Sequence, residues 1–327
     1  REIEDVIRDF KAFCDGAILV AHNAQFDIAH IEAAYERYGL GELENPIIDT
    51  LNCARYRYND KMKRFNLAAL SRFFKVELTQ HHRAIYDARA TAEIFLYLLK
   101  DMTDLGITTH DQINTIVDPN EAYKYQFPTH ATLIAKNETG LKNLFKIVSK
   151  SLTDHLYKEP RVVRRFLNEH REGVLVGSSC VHGEVWVTAL ERSYEDLLQV
   201  AQFYDYLEVQ PPEVYSHLIY TSGEPMMKEY IKDAIGRIIK AGKELGIPVL
   251  ATGDVHHLDP EDKMYREIYI DTPQIGGGLH PLNHPDIKEI PSMHLRTTDE
   301  MFESFAFLDE EVAYDIIIKN PKQLANQ

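Results

Sequence analysis

The chain has 327 residues, 44% of them hydrophobic and 27% charged, and a formal net charge of −15. That composition is sufficient for two cores of ordinary size and excludes a low-complexity or disulfide-stapled chain. The acidic balance argues against gripping DNA through a broad basic surface, but not against a nuclease, since bound cations reverse the sign of the local field.

No apolar run approaches the ~20 residues needed to cross a bilayer. The opening Arg1-Glu2-Ile3-Glu4-Asp5 lacks the basic-then-apolar plan of a secretion signal, so a cytoplasmic protein is expected. The three cysteines, Cys14, Cys53 and Cys180, form no Cys-x-x-Cys pair and are judged singly.

In chain order, a helical stretch precedes the apolar run Gly16–Ala21, which has the pattern of a buried strand. A helix follows over about Phe26–Tyr38, ending at Gly39. Next come a short Ile47-Ile48 strand, a helix near Asn66–Phe74 and a long amphipathic helix over about Asp87–Leu99. Residues 106–127 are polar and weakly periodic and read as a connector. Beyond it, strands are expected at Ala131–Ala135, Val174–Gly177, Tyr206–Val209 and Pro248–Thr252. Helices Leu141–Ser151, Glu195–Phe203 and Met227–Leu245 alternate with them. Such βα alternation predicts an α/β fold with a parallel sheet or barrel. A loop around Gly276–Gly278 and His280–Pro291 precedes a last helix near Asp299.

Two carboxylates fall on helical stripes that should face the core. Spacing from Asp27 runs through Ile31, Ala34 and Tyr38, and spacing from Asp87 runs through Thr91, Ile94 and Leu98. A buried carboxylate needs a cation or hydrogen bonds to compensate it. Two explanations are open: each Asp caps a helix N-terminus, or each holds a metal. His82 lies five residues before Asp87, close enough to face the same point and to take a proton near neutral pH.

His22-Asn23-Ala24-Gln25-Phe26-Asp27 and His82-Arg83-Ala84-Ile85-Tyr86-Asp87-Ala88 resemble the second and third motifs of the DEDDh 3′→5′ exonucleases, which act on DNA 3′ ends. The resemblance implies a ribonuclease H-like exonuclease fold. It makes Asp27 and Asp87 ligands of Mg²⁺ or Mn²⁺ and His82 the general base. Asn23 and Phe26 become contacts to the terminal nucleotide, or else residues of the turn. The family's first motif, Asp-x-Glu on the opening strand, has no counterpart, because Glu2-Ile3-Glu4 lies in the preceding helical stretch. The sequence is therefore expected to begin inside the exonuclease fold, and the chain by itself to have little or no exonuclease activity.

In the second half, His130 enters a strand, Cys180 follows Gly177-Ser178-Ser179, and Asp254 and His256 follow Ala251-Thr252-Gly253. In a βα barrel, side chains beyond the carboxyl ends of strands converge at one mouth, where three of these four should meet. Taken singly, Cys180 also fits a buried small hydrophobe, and the histidines fit ordinary packing. Mixed His, Cys and Asp donors suit Zn²⁺ or Mn²⁺. Three stretches resemble the later motifs of PHP domains: that from His130, Gly177-Ser-Ser-Cys180-Val-His-Gly-Glu184, and Thr252-Gly-Asp254-Val-His256. Phe203–Pro212 and Leu295–Met301 are similar to the PolC type of bacterial DNA polymerase III α subunit.

The resemblance implies an incomplete exonuclease domain over 1–105, the connector 106–127, and the C-terminal part of a PHP domain, a distorted (β/α) barrel, over 128–327. It implies proofreading within a replicative polymerase, with the polymerase region, the sliding clamp and other replisome subunits as partners and no membrane. A PHP-type phosphoesterase of small phosphate esters and a non-catalytic scaffold or split-gene remnant are the alternatives. The histidines His280, His284 and His294 are expected at the surface, and Trp186 and the tyrosines in packing roles.

Overall fold

A computed structural model describes residues 2–62, 64–77, 84–113, 121–273 and 278–327, apart from the Phe26 side chain. The chain divides into two compact units, Arg1–Pro128 with His155–Arg161, and Thr129–Asp154 with Val162–Gln327.

In the first unit, helix α1 (Ile3–Phe13) leads to strand β1 (Leu19–Ala21), helix α2 (Ala24–Arg37) and strand β2 (Ile47–Asp49). Strands β1 and β2 pair in parallel, with Leu19 opposite Ile47 and Ala21 opposite Asp49. Helices α3 (Thr50–Tyr58), α4 (Leu67–Phe74), α5 (Ala84–Asp104) and the short α6 (His110–Ile113) follow. The apolar stripe of α5 closes the core, since Ala90, Ile94, Leu98 and Met102 are buried against Ala54, Tyr58 and Leu70. Helix α4 starts where the Asn66 side chain accepts a hydrogen bond from the Ala69 amide at 2.9 Å, the ordinary N-cap arrangement.

The second unit opens with strand β3 (Thr132–Ala135) and helix α7 (Glu138–Leu152). Strands β4 (Leu156–Tyr157) and β5 (Glu159–Pro160) then form a hairpin that belongs to the first unit. Helix α8 (Arg164–Glu169), strand β6 (Val174–Gly177), helices α9 (Glu184–Glu191) and α10 (Tyr194–Ala201) and strand β7 (Leu207–Val209) come next. They are followed by α11 (His217–Thr221), α12 (Met227–Leu245), β8 (Val249–Ala251) and α13 (Lys263–Asp271), and the chain closes with α14 (Thr298–Ser304), α15 (Glu310–Tyr314) and α16 (Asn320–Ala325).

Strands β7 and β8 pair in parallel, and a single parallel bridge from Gly177 to Tyr206 sets β6 beside β7. The expected all-parallel arrangement fails at β3, which pairs antiparallel with β6, Thr132 opposite Gly177. Only a glycine permits the approach at this corner, because a Cβ on Gly177 would lie 2.2 Å from the Tyr206 ring. The antiparallel register has a functional consequence: it brings the start of β3 to the carboxyl end of β6. The main core packs α9, α10 and α12 over β6, β7 and β8, with Ile235, Ile238, Leu207 and Val249 among its buried members. Trp186 stacks on Tyr215 with ring centroids 3.6 Å apart. Among the described residues, no helix is long and apolar enough to cross a membrane.

Candidate functional site

In the first unit the site is built on helix starts. The turn between β1 and α2 passes through Asn23, which adopts the left-handed conformation at φ 63°, ψ 52°, a region Asn enters at low cost. Its amide donates to the Asp49 carboxylate at 3.0 Å, and Leu51 donates to the same oxygen at 2.9 Å. The N-cap of α3 thus also holds the start of α2. The pattern of an Asp directly after a short strand signals such a cap, but without the helix Thr50–Tyr58 in view the signal has no object.

His22 sits behind this turn. The Thr50 hydroxyl donates to the Ala21 carbonyl at 3.1 Å, so the 3.0 Å contact between His22 Nδ1 and Thr50 Oγ1 runs from the imidazole to the hydroxyl. Withdrawal from water holds the His22 pKa below its ordinary value, against the raising effect of Asp49.

Asp27 lies in the first turn of α2. The buried face of this helix runs through Ala24, Ile28 and Tyr35, one step from the stripe expected through Asp27, and Asp27 is exposed at its margin. The sequence-based placement of Asp27 on the core face is therefore corrected: Tyr35, buried and alongside buried Cys14, sets the rotation of α2 instead. The Asp27 pKa is still raised, first by partial withdrawal from water and further by the neighbouring Asp49 carboxylate, against the lowering effect of His30.

Asp87 lies in the first turn of α5, on the stripe that continues through Thr91, Ile94 and Leu98. Its Oδ1 is buried and has no hydrogen-bond partner among the described residues. A carboxylate oxygen in that state is costly unless a cation answers it, which fits a metal ligand. Both α2 and α5 pack against β1. Asn23 is exposed at its turn, Phe26 lies in α2 with its side chain outside the described residues, and His82 falls in 78–83, also outside them.

In the second unit the site is built on strand ends. His130, just before β3, donates its amide to the His182 carbonyl at 2.9 Å, and its Nδ1 stands 3.4 Å from Cys180 Sγ. Cys180 follows Ser179, which is left-handed at φ 62°. The loop closes tightly, and a Cβ on Gly183 would meet the Ser178 carbonyl oxygen at 2.1 Å. Beyond β8, Asp254 is left-handed at φ 44°. Non-glycine residues persist in such conformations where the surroundings over-determine them, as at binding sites. Here they turn both strand exits toward one mouth.

A polar layer beneath the mouth, half-buried at Glu208 and buried at Gln210, supplies that determination. On β7, the Glu208 carboxylate accepts from the Ser179 amide and from the Thr252 hydroxyl, each at 3.1 Å. Gln210, 1% exposed, donates to the Ser179 carbonyl at 3.2 Å and to Thr252 Oγ1 at 2.8 Å, and accepts from the Tyr215 hydroxyl. One strand thereby ties the loop carrying Cys180 to the loop carrying Asp254. Glu208 and Gln210 were visible only as part of the Phe203–Pro212 stretch, because a buried glutamine reads in sequence as a surface residue.

The four expected ligands share this mouth as two adjacent pairs. His130 adjoins Cys180, and Asp254 Oδ1 lies 3.8 Å from His256 Nδ1. The convergence of three is not realised: among the described residues no three His, Cys, Asp or Glu groups stand close enough to share an ion. The reason is local. His256 Nδ1 is 2.8 Å from the Asp254 carbonyl and its backbone amide donates to the Met293 carbonyl at 2.8 Å, so the imidazole is engaged locally rather than with the His130–Cys180 pair. Burial raises the Cys180 pKa foremost, and Asp254 adds to the rise, so the free thiol holds its proton at neutral pH.

Three histidines without an assigned role also face the mouth. The His182 ring is 5.1 Å from that of His130, and its pKa is lowered by withdrawal from water and then by His130. His217, with Nδ1 buried and unpaired, is lowered by burial to about 4. His280 is half-buried and influenced by Arg266, His256 and His182, so its expected surface position is corrected. His294 is half-buried as well, 2.9 Å from Ser292 Oγ, while His284 is exposed.

Two family profiles match, "Exonuclease" over residues 1–95 and "PHP domain" over residues 76–210. The chain is 46% identical over 326 residues to "DNA polymerase III PolC-type" of Bacillus subtilis, covering 99% of this chain and 22% of the relative. It is 45% identical over 324 residues to the protein of that name in Pediococcus pentosaceus, and 44% over 332 residues to that of Staphylococcus haemolyticus, again covering 22% of each. It spans less than a quarter of the relatives' length. The chain therefore carries one stretch that matches an exonuclease profile and one that matches a PHP-domain profile, and along nearly its whole length it is similar to one segment of the PolC-type DNA polymerases III.

Proposed function

We propose that this chain contributes to 3′→5′ proofreading at DNA ends within a replicative polymerase of the PolC type. The carrying observation is the buried, unpartnered Oδ1 of Asp87 at a helix start, with Asp27 at a second helix start on the same strand. The reading assigns Asp27 and Asp87 to Mg²⁺ or Mn²⁺; such ions supply an activated water and a stabilised leaving oxygen. His82 takes the proton of the attacking water, and Asn23 and Phe26 position the terminal nucleotide. Asp49 keeps the turn before α2 in place through the Asn23 amide. The polymerase region, the sliding clamp and other replisome subunits are the assigned partners, and the cytoplasm the assigned compartment.

Residues 1–105 serve as exonuclease, 106–127 as connector and 128–327 as PHP region in this reading. His130, Cys180, Asp254 and His256 hold Zn²⁺ or Mn²⁺, with a structural rather than a hydrolytic task. The hydrogen-bond network of Glu208 and Gln210, which fixes loops instead of aiming a proton acceptor at a cavity, supports that task.

The test uses the intact protein and a 3′-labelled single strand. Asp27→Asn and Asp87→Asn are each expected to slow excision on the order of a thousandfold, the loss of several kcal/mol of charge stabilisation. Excision at the unaltered rate in both variants refutes the assignment. Asp254→Asn combined with His256→Ala is expected to lower the melting temperature and leave excision in place. Loss of excision at unchanged stability refutes the structural role.

A further inference from the structure

One concentration of positive charge in the first unit has no part in the reading above. In a chain of net charge −15, residues 55–64 carry five cationic side chains against one carboxylate, with Tyr56 and Tyr58 between them. Two segments remote in sequence add to it. The Arg55 guanidinium lies over the Phe127 ring at 5.6 Å, and Tyr56 meets Tyr125 edge-on at 5.2 Å. From the β4–β5 hairpin, Lys158 donates to the Asn59 side chain at 2.8 Å and Arg161 to the Gln126 carbonyl at 2.9 Å. The Tyr157 ring has Lys158 at 5.3 Å and Arg161 at 5.4 Å.

These contacts and the ion pair of Arg57 with Asp101 at 3.7 Å account for only part of this surface. Phe127 is 70% exposed, and Arg57, Lys61 and Arg64 are exposed too. An exposed ring, Phe127, with half-buried Tyr125 near it and cations beside them, offers stacking faces together with charge for phosphates. Paired bases hide their faces inside the duplex, so the combination suits unpaired nucleotides. The surface also has an end point. Arg55, its pKa lowered by burial, is held up by the Asp49 carboxylate, which receives the Asn23 amide beside Asp27.

We propose that Arg55, Arg57, Lys61 and Arg64, with Tyr125 and Phe127, form a track for single-stranded DNA that leads its 3′ end toward Asp27 and Asp87. The direction of travel rests on the hydrolytic reading; the binding does not.

The experiment measures binding of a fluorescent oligothymidylate by the full chain in EDTA across a salt series. Arg57→Ser/Lys61→Ser/Arg64→Ser is expected to weaken binding about tenfold or more and to flatten the slope of log affinity against log salt by about 2, at ~0.7 per contact with a single strand. Phe127→Ala is expected to weaken it about fivefold or more. A control triple on α12, Lys228→Ser/Lys232→Ser/Lys243→Ser, should bind as the unaltered chain does. Melting temperatures separate lost binding from lost folding, and the single Arg64→Ser carries the test if the triple variant melts early. The proposal is overturned if the unaltered chain does not bind at low salt, or if the Arg57 triple binds within twofold of it. Equal loss in the α12 control, or tighter binding of a blunt duplex, also overturns it. If Asp87→Asn still excises at the unaltered rate in the intact protein, the hydrolytic reading fails while the track stands.

Discussion

The two units position the side chains proposed as metal ligands by different means. In the first, Asp27 and Asp87 are carried by the opening turns of helices, and their aim follows from helix rotation against a modest core. In the second, Cys180 and Asp254 lie on strand exits in left-handed or adjoining conformations, held by half-buried Glu208 and buried Gln210 beneath them. Helix rotation tolerates surface change around the ligand, whereas a polar layer makes the ligand loops depend on residues that touch no ligand. The second site should therefore be sensitive at a distance and the first insensitive.

The sharpest way to break this contrast is Gln210→Leu. It removes partners from the Ser179 carbonyl, Thr252 and Tyr215. Stranding buried polar groups costs about 1–3 kcal/mol each, so a loss of roughly 2–4 kcal/mol in denaturant unfolding is expected. A loss below about 0.5 kcal/mol, the range of an ordinary surface change, would show that the layer does not hold the loops.

A weaker effect is expected from His217. Its folded pKa, about 4, lies below the usual histidine value, so the native state binds the proton later than the unfolded chain does. Stability from this group is present in full above the ordinary value near 6.5 and is lost as pH falls from there toward about 4. Its share is on the order of 1–3 kcal/mol. Melting temperatures at neutral and acid pH should therefore differ less in His217→Gln than in the unaltered chain. An identical difference would contradict the account.

The smallest effect is the helix cap. Asp49→Ala should cost about 1 kcal/mol and loosen the start of α2, seen as faster amide exchange at Asn23. Unchanged exchange would detach Asp49 from the site.

How far the sequence reached follows the same contrast. Long periodic elements were legible: α12 spans Met227–Leu245 as expected, β6 spans Val174–Gly177, and the stripe of α5 runs through Thr91, Ile94 and Leu98. The rotation of α2 was not, because Asp27 and Ile28 are neighbours and only tertiary packing of Tyr35 chooses between their faces. The antiparallel β3 was hidden as well, since a buried strand reads alike in either direction. Strands of two residues, β4 and β5, give no alternation to detect. At the second site, the place of His130, Cys180 and Asp254 at strand ends was legible. The supporting Glu208 and Gln210 were not, because burial of a polar side chain depends on partners distant in sequence. The acidic net charge likewise concealed the local basic stretch 55–64, which an average over the chain cancels.

The claim that Asp27 and Asp87 are cation ligands is met most directly by manganese titration of the intact protein, with free ion followed by electron paramagnetic resonance and zinc present to fill the second site. Asp87→Asn should lose a tightly bound ion that the unaltered protein and Cys180→Ser both keep. Equal stoichiometry and affinity in the Asp87→Asn protein would contradict it.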